Sequence, residues 1–179
     1  MRLLQIFILC LMSISAAVYS DENLSHFKLN PGFKISIFAN NLDSPRQMVE
    51  GDNGTIFLGQ RSGKILALLD SDRNGEVDSR RVIADNLTYS TGVSIFDGDL
   101  YFSEISKIWK IKNIESWLQK NASGLPEKIL VTDNLPGDKW HGWKWLQHNS
   151  DGDIYTNVGA PCNTCLSENP QYASILKWS

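Results

Sequence analysis

Apolar positions in this chain come in short runs separated by turn-forming residues, the signature of β-strands rather than of helical stripes. Three such runs end in Asn-Leu: Ile37-Phe38-Ala39-Asn40-Asn41-Leu42, Ile83-Ala84-Asp85-Asn86-Leu87 and Val131-Thr132-Asp133-Asn134-Leu135. Downstream of each comes a short strand, then a turn, then a second strand. The turn and second strand read Asp52-Asn53-Gly54-Thr55-Ile56-Phe57-Leu58, Asp97-Gly98-Asp99-Leu100-Tyr101-Phe102 and Asp151-Gly152-Asp153-Ile154-Tyr155-Thr156. Asn-Gly and Asp-Gly between alternating apolar residues signal hairpins, because these residue types tolerate the positive φ of a tight turn.

The Asn-Leu anchors at 41, 86 and 134 are spaced by 45 and 48 residues. A repeat of that length, made of several short strands, reads as a propeller blade. The first blade is predicted to place strands near Arg46–Glu50, Thr55–Gln60, Lys64–Leu69 and Arg81–Ala84. One helix is expected, Ile114–Lys120, as an insertion in the second blade. The fold class is therefore all-β, a β-propeller with about three blades present; a sandwich would leave the repeat unexplained. Three blades cannot close a ring without exposing strand edges. The sequence also stops at Ile175-Leu176-Lys177-Trp178-Ser179, where the third strand of a blade is expected. The reading is of a truncated propeller.

Residues 1–20 differ in kind from the rest. Met1-Arg2 gives a positive end, Leu3 to Ser15 an apolar stretch and Val18-Tyr19-Ser20 a small-residue exit, which together read as a secretory signal peptide. The apolar stretch is short for a bilayer span, and Leu9 stands where lipidation at Cys10 would want a small residue. The expectation is a periplasmic or secreted domain over residues 21–179, with no stable membrane span after cleavage. Hydrophobic content of 42% and a net charge of -3 describe an ordinary globular chain with no electrostatic reason to bind nucleic acid. After cleavage Cys162 and Cys165 are the remaining cysteines, and in an oxidising compartment they read as a disulfide staple rather than half of a zinc site.

The densest chemical feature is Lys139-Trp140-His141-Gly142-Trp143-Lys144-Trp145. On the repeat it begins the innermost strand of the third blade. Alternation then puts His141, Trp143 and Trp145 on one face and Gly142, Lys144 and Leu146 on the other. Gly142 would allow a ligand or a neighbouring strand to come close. A histidine at a channel mouth is placed to act as a general base; spacing alone favours instead a half-buried histidine that merely hydrogen-bonds a neighbouring blade. Trp143 and Trp145 read as blade packing rather than substrate stacking, although one of them could do both. His26 and His148 lack comparable surroundings.

These motifs resemble the sorbosone and soluble glucose dehydrogenases, bacterial enzymes that depend on pyrroloquinoline quinone. The likeness runs from about Asn30 to Ser179. It rests on Pro31-Gly32-Phe33, on Asp52-Asn53-Gly54-Thr55-Ile56-Phe57-Leu58-Gly59, and above all on His141-Gly142-Trp143-Lys144 followed by Val158-Gly159-Ala160-Pro161-Cys162-Asn163-Thr164-Cys165. It implies a six-bladed propeller, of which this chain is about half. It also implies oxidation of an aldose or sugar aldehyde, with His141 as the base, hydride transfer to the quinone and electrons leaving to a cytochrome or quinone acceptor. The sorbosone branch often carries a second histidine where this chain has Trp140. The glucose branch orients its base with an aspartate where this chain has Ala160, so the orienting partner must come from elsewhere or be absent. The family's cofactor clamp and catalytic calcium ligands come from later blades, so this stretch alone is expected to be inactive.

Arg46 and Arg61, at equivalent upper positions of the first blade, are candidates to face an anionic cofactor or simply the solvent. Asp70, Asp72, Asn74 and Asp78, with Gly75 at the sixth position, match the start of an EF-hand-type loop. Arg81 stands at the twelfth position in place of a bidentate glutamate, so the loop reads equally as a weak structural calcium site or an acidic turn. Two other functions fit the fold class: a non-catalytic binding propeller and a calcium-dependent lactonase-like hydrolase.

Overall fold

The structure is a computed structural model and describes residues 24–120 and 123–179. The expected signal peptide over residues 1–20 lies outside the described residues. The chain divides into two compact units, Met1–Ile37 and Phe38–Ser179. In the first, Asn30 to Phe33 forms a turn closed by the Phe33 N–H on the Asn30 carbonyl at 3.2 Å, with Gly32 at φ 93°. Proline followed by a positive-φ glycine is the sequence a type II turn asks for.

The second unit is built of three antiparallel sheets. The first contains β1 (Pro45–Glu50), β2 (Ile56–Gln60), β3 (Lys64–Leu69) and β4 (Ser79–Ala84), in that order. The second contains β5 (Val93–Phe96), β6 (Asp99–Ser103), β7 (Ile108–Ile111) and β8 (Ile129–Thr132). Between β7 and β8 lies α1 (Ile114–Gln119), the one helix among the described residues. The third sheet contains β9 (Leu146–His148), β10 (Ile154–Val158) and β11 (Ser174–Trp178). Three sequential meanders, each entered by its inner strand, make a partial, propeller-like all-β fold without a closed barrel. Strands of the first sheet fall within a residue or two of those expected from the repeat. The β5–β6 hairpin turns on Asp97 at φ 49° and Gly98 at φ 74°, between the paired residues Phe96 and Asp99. Positive φ at both central residues is the type I′ geometry that an Asp-Gly pair favours.

Packing follows the period of two. In β3, Ile65 and Ala67 face the second sheet, while Leu66 and Leu68 face the opposite way against Phe38, Ala39 and Leu42. A strand covered on both faces needs the continuous apolar run Ile65-Leu66-Ala67-Leu68-Leu69. The core between the first two sheets joins Phe57, Ile65 and Ile83 to Val93, Leu100, Phe102 and Ile111, and α1 adds Ile114 and Leu118. A second, smaller core joins Ile108 to Leu135, Leu146, Ile154 and Val158.

One side chain ties the three inner strands together. Gln47 of β1 accepts at Oε1 from the Val93 N–H at 3.2 Å and from the Leu146 N–H at 2.9 Å. Its Nε2 donates to the Leu146 carbonyl at 2.7 Å. Where the sequence predicted that the inner strand of the third blade begins at the His141 motif, the ladder begins at Leu146 and His141 lies in a turn. Side chains have taken the backbone groups between them, as described next.

Candidate active-site cleft

Residues 142–145 run extended but unpaired by any strand. Asn157 of β10 supplies the missing bonds: its Nδ2 donates to the Trp143 carbonyl at 3.0 Å and its Oδ1 accepts from the Trp145 N–H at 2.7 Å. On the other edge the Thr91 hydroxyl donates to the Lys144 carbonyl at 2.8 Å and accepts the Lys144 N–H at 3.2 Å. The expected alternation holds over this ribbon. His141, Trp143 and Trp145 are exposed, while Gly142, Lys144 and Leu146 are buried. Trp143 and Trp145 are thus not blade packing, as their apolar character implied. They line a cleft of ≈ 530 Å³ with Pro45, Arg46, Gln47, Thr91, Lys144 and Asn157.

Arg46 and Arg61, candidates from sequence for an anionic cofactor or simply for the solvent, are brought onto the same indole. The Arg46 guanidinium lies 4.6 Å and that of Arg61 5.1 Å from the Trp143 ring centre. Arg61 is also 5.1 Å from the Tyr89 ring, and Lys139 approaches that ring at 5.7 Å. The ion pairs among the described residues, Lys110–Asp99 and Lys177–Asp153, involve none of these cations. Like charges gathered on one aromatic surface without a carboxylate partner present a positive field to an anion.

His141 is exposed and sits at φ 52°, a left-handed conformation costing about 1 kcal/mol in a residue with a Cβ. Its ring is nevertheless fixed. Nδ1 lies 3.0 Å from the Ala160 carbonyl oxygen. A carbonyl can only accept, so Nδ1 carries the proton of the neutral ring and Nε2 keeps a free lone pair. At the position where the resemblance to the glucose enzymes leads one to expect an aspartate, the group that meets Nδ1 is the backbone oxygen of Ala160. Gly159 makes room: a Cβ there would stand 2.8 Å from His141 Cβ. Gly142 makes room for protein rather than for a ligand: a Cβ there would meet the Asp138 carbonyl of its own loop and stand 2.8 Å from Cγ1 of Ile105, in the neighbouring β6–β7 connection.

Lys144 is 2% exposed and donates from Nζ to the Gly142 carbonyl at 2.7 Å. Burial pushes its ammonium down to about 8, against a smaller upward pull from Asp138. His148, whose sequence surroundings suggested no site, is held by its neighbours in the fold. It is buried, stacks on Phe96 with ring centres 5.3 Å apart, and meets the Ser94 hydroxyl at 2.9 Å through Nδ1. Burial lowers its pKa. Alternation put Lys144 on the face opposite Trp143 and Trp145, but the reading of the tryptophans as packing pointed to the other face as the buried one.

The Asp70, Asp72 and Asp78 carboxylates converge in the β3–β4 loop, each offering an oxygen within 4.8 Å of the others. Asp70 also accepts from the Asn74 and Gly75 N–H groups at 3.1 and 2.9 Å, and Asp72 accepts from the Asn74 N–H at 3.2 Å as an Asx-type turn. Asn74 turns its Oδ1 to the Glu76 N–H and its Nδ2 to Asp72. Arg81 points to the Leu118 carbonyl and the Trp117 ring. The loop shares no residue with the cleft. Cys162 and Cys165 form the expected disulfide, with Cα atoms 5.7 Å apart.

No family model matches the chain. An uncharacterized protein of Borreliella burgdorferi is 27% identical over 156 residues, covering 83% of this chain and 40% of that protein. Among solved structures, the holo form of the PQQ domain of a pyranose dehydrogenase from Coprinopsis cinerea aligns at a TM-score of 0.71. Its sequence identity is 16%, over 84% of this chain and 37% of that one. A calcium structure of the Trichoderma reesei carbohydrate-active enzyme family AA12 aligns at 0.62 with 18% identity, over 79% of this chain and 36% of that one. The chain spans about two fifths of the length of the proteins it matches. The likeness is one of fold. No helix among the described residues is long and apolar enough to cross a membrane.

Proposed function

We propose that this chain supplies the base-bearing part of a quinone-dependent sugar oxidoreductase, exported to the periplasm or beyond, that oxidises an aldose or sugar aldehyde. The observation that carries the reading is the His141 ring: exposed, its Nδ1 committed to Ala160 and its Nε2 lone pair free. His141 takes the proton of the substrate hydroxyl at Nε2 while Nδ1–H stays bonded to the carbonyl, which steadies the developing imidazolium. Pyrroloquinoline quinone, when bound, supplies the two-electron acceptor for the hydride leaving the same carbon. A planar polycarboxylate fits the residues present, since Arg46 and Arg61 meet over Trp143 and neither is in an ion pair among the described residues. They would hold its carboxylates. Trp145, half exposed beside them, offers an apolar face to a pyranose ring. Electrons then pass to a cytochrome or quinone partner.

The cleft lining carries no carboxylate, which favours this reading over a calcium-dependent lactonase, whose metal asks for oxygen ligands around the reacting carbonyl. Calcium would find its oxygens in the Asp70–Asp72–Asp78 loop, bracing β3 and β4 away from the substrate.

The test is turnover of the full-length protein with quinone, calcium, a dye acceptor and a panel of aldoses. His141→Gln, which keeps a hydrogen-bonding side chain but no base, is expected to lower kcat by about 10²–10⁴-fold with KM little changed. No oxidation of any sugar, or full activity in the variant, would overturn the proposal.

A further inference from the structure

The histidine is positioned from outside its own loop. Ala160, whose carbonyl holds Nδ1, begins the segment that joins β10 to β11. Gly159 before it is pressed so closely on the His141 backbone that only glycine fits. After it the chain has few ties. Among the described residues no backbone group of 161–166 enters a hydrogen bond, and Leu166 is fully exposed. What closes this stretch is the disulfide from Cys162 to Cys165, beginning two residues beyond Ala160. Farther along, Gln171 Nε2 donates to the Asn134 carbonyl at 3.0 Å and the Tyr172 hydroxyl donates to the Asp138 carboxylate. The same segment therefore grips the His141 loop from its upstream side too, but at the other end of the connection.

We infer that the Cys162–Cys165 disulfide is a positioning element for His141: by closing the chain immediately after Ala160 it keeps that carbonyl on Nδ1, and its reduction releases the ring. The inference rests on the reading of His141 as a base. Its physical content is the tautomer. With the carbonyl in place the neutral ring is Nδ1–H and Nε2 is free to take a proton. With the carbonyl adrift, rings protonated at Nε2 appear, and these cannot accept a substrate proton at Nε2, the nitrogen that takes it in the proposed reaction. Cys165 is exposed, so a soluble dithiol can reach the bond. Its thiolate attacks one sulfur, its second thiol then displaces the mixed disulfide, and the reductant leaves oxidised. Two electrons and two protons end on the pair as two thiols.

The experiment reads the tautomer directly, by ¹⁵N NMR of the imidazoles at a pH where the rings are neutral. It compares the oxidised chain, the chain reduced with a dithiol, and the Cys162→Ser, Cys165→Ser double variant. His26 and His148 in the same spectrum serve as references. The expected result is that the His141 Nδ1–H fraction falls about twofold or more in both altered forms. The reference rings and the far-ultraviolet circular dichroism should stay unchanged. An unaltered His141 tautomer after complete reduction would overturn the inference, and so would loss of the β-sheet signal, which would make the bond a support of the fold instead. Neither quinone nor sugar enters the measurement, so it can fail while the proposed activity stands, and the reverse.

Discussion

Lys144 stands between two exposed tryptophans and is itself 2% exposed, because neighbours on an extended chain face opposite ways. Buried with a carbonyl as its hydrogen-bond acceptor, it pays desolvation that the bond to Gly142 only partly offsets. In the folded state its ammonium titrates at about 8, against 10.5 for an unperturbed lysine. Below about pH 8 both folded and unfolded chains carry the proton, and the full penalty of the buried charge applies. Between the two values the folded chain binds fewer protons than the unfolded chain, so stability rises with pH. Lys144→Met, which keeps the stem and removes the charge, is expected to stabilise the protein by roughly 1–3 kcal/mol at pH 7. That advantage should shrink as pH approaches 10. Urea denaturation of both proteins at pH 7 and 9.5 checks it, and a difference independent of pH would refute the assignment. Alternation does not tell which face is buried, but the placement of Lys144 opposite the tryptophans was legible there. The partner of His141 was not, for an informative reason: the role falls to a backbone oxygen, which every residue type supplies. Ala160 in place of an acid looked like a loss, and only the fold shows that its carbonyl faces the ring.

At the scale of elements, the sequence located β1 to β4 through turn chemistry and apolar runs. It erred where side chains replaced a ladder. Thr91 and Asn157 occupy the backbone groups of residues 143–145, so β9 starts at Leu146, five residues after the histidine. Polar side chains that substitute for a strand leave no periodic trace. The same holds for Gln47, whose single amide joins β1 to Val93 and Leu146. Gln47→Ala leaves two N–H groups and one carbonyl in the strand junction without this partner and is expected to cost about 2–4 kcal/mol. Gln47→Glu should cost a comparable amount, because a carboxylate cannot donate to the Leu146 carbonyl. Equilibrium unfolding distinguishes this clip from a merely exposed glutamine, for which both changes would fall within about 0.5 kcal/mol.

Across the whole molecule the repeat was legible because each blade-like unit must reverse its chain at the same places, and Asn-Leu, Asn-Gly and Asp-Gly are the residues that do so cheaply. How the units share their cores was not. The first two sheets enclose Phe57, Ile65, Leu100 and Phe102, all at 0% exposure, with α1 closing one end. The third rests on fewer fully buried side chains, and its outer strand β11 leaves Ile175 at 68% exposure. Opening free energy follows buried apolar contact. Native-state hydrogen exchange should therefore find the ladder amides of β2, β3 and β6 slowest, with those of β10 opening at a free energy lower by about 1–3 kcal/mol. Leu146→Ala then separates a local weakness from a global one. Leu146 is fully buried in the smaller core, so truncation should cost about 2–5 kcal/mol. If the third sheet opens as its own unit, that loss appears in the exchange of β9, β10 and β11 while β2 and β3 hold their protection. An equal loss in all three sheets would mean that the Gln47 clip makes them unfold as one, and that a disturbance at the His141 ribbon reaches the whole fold.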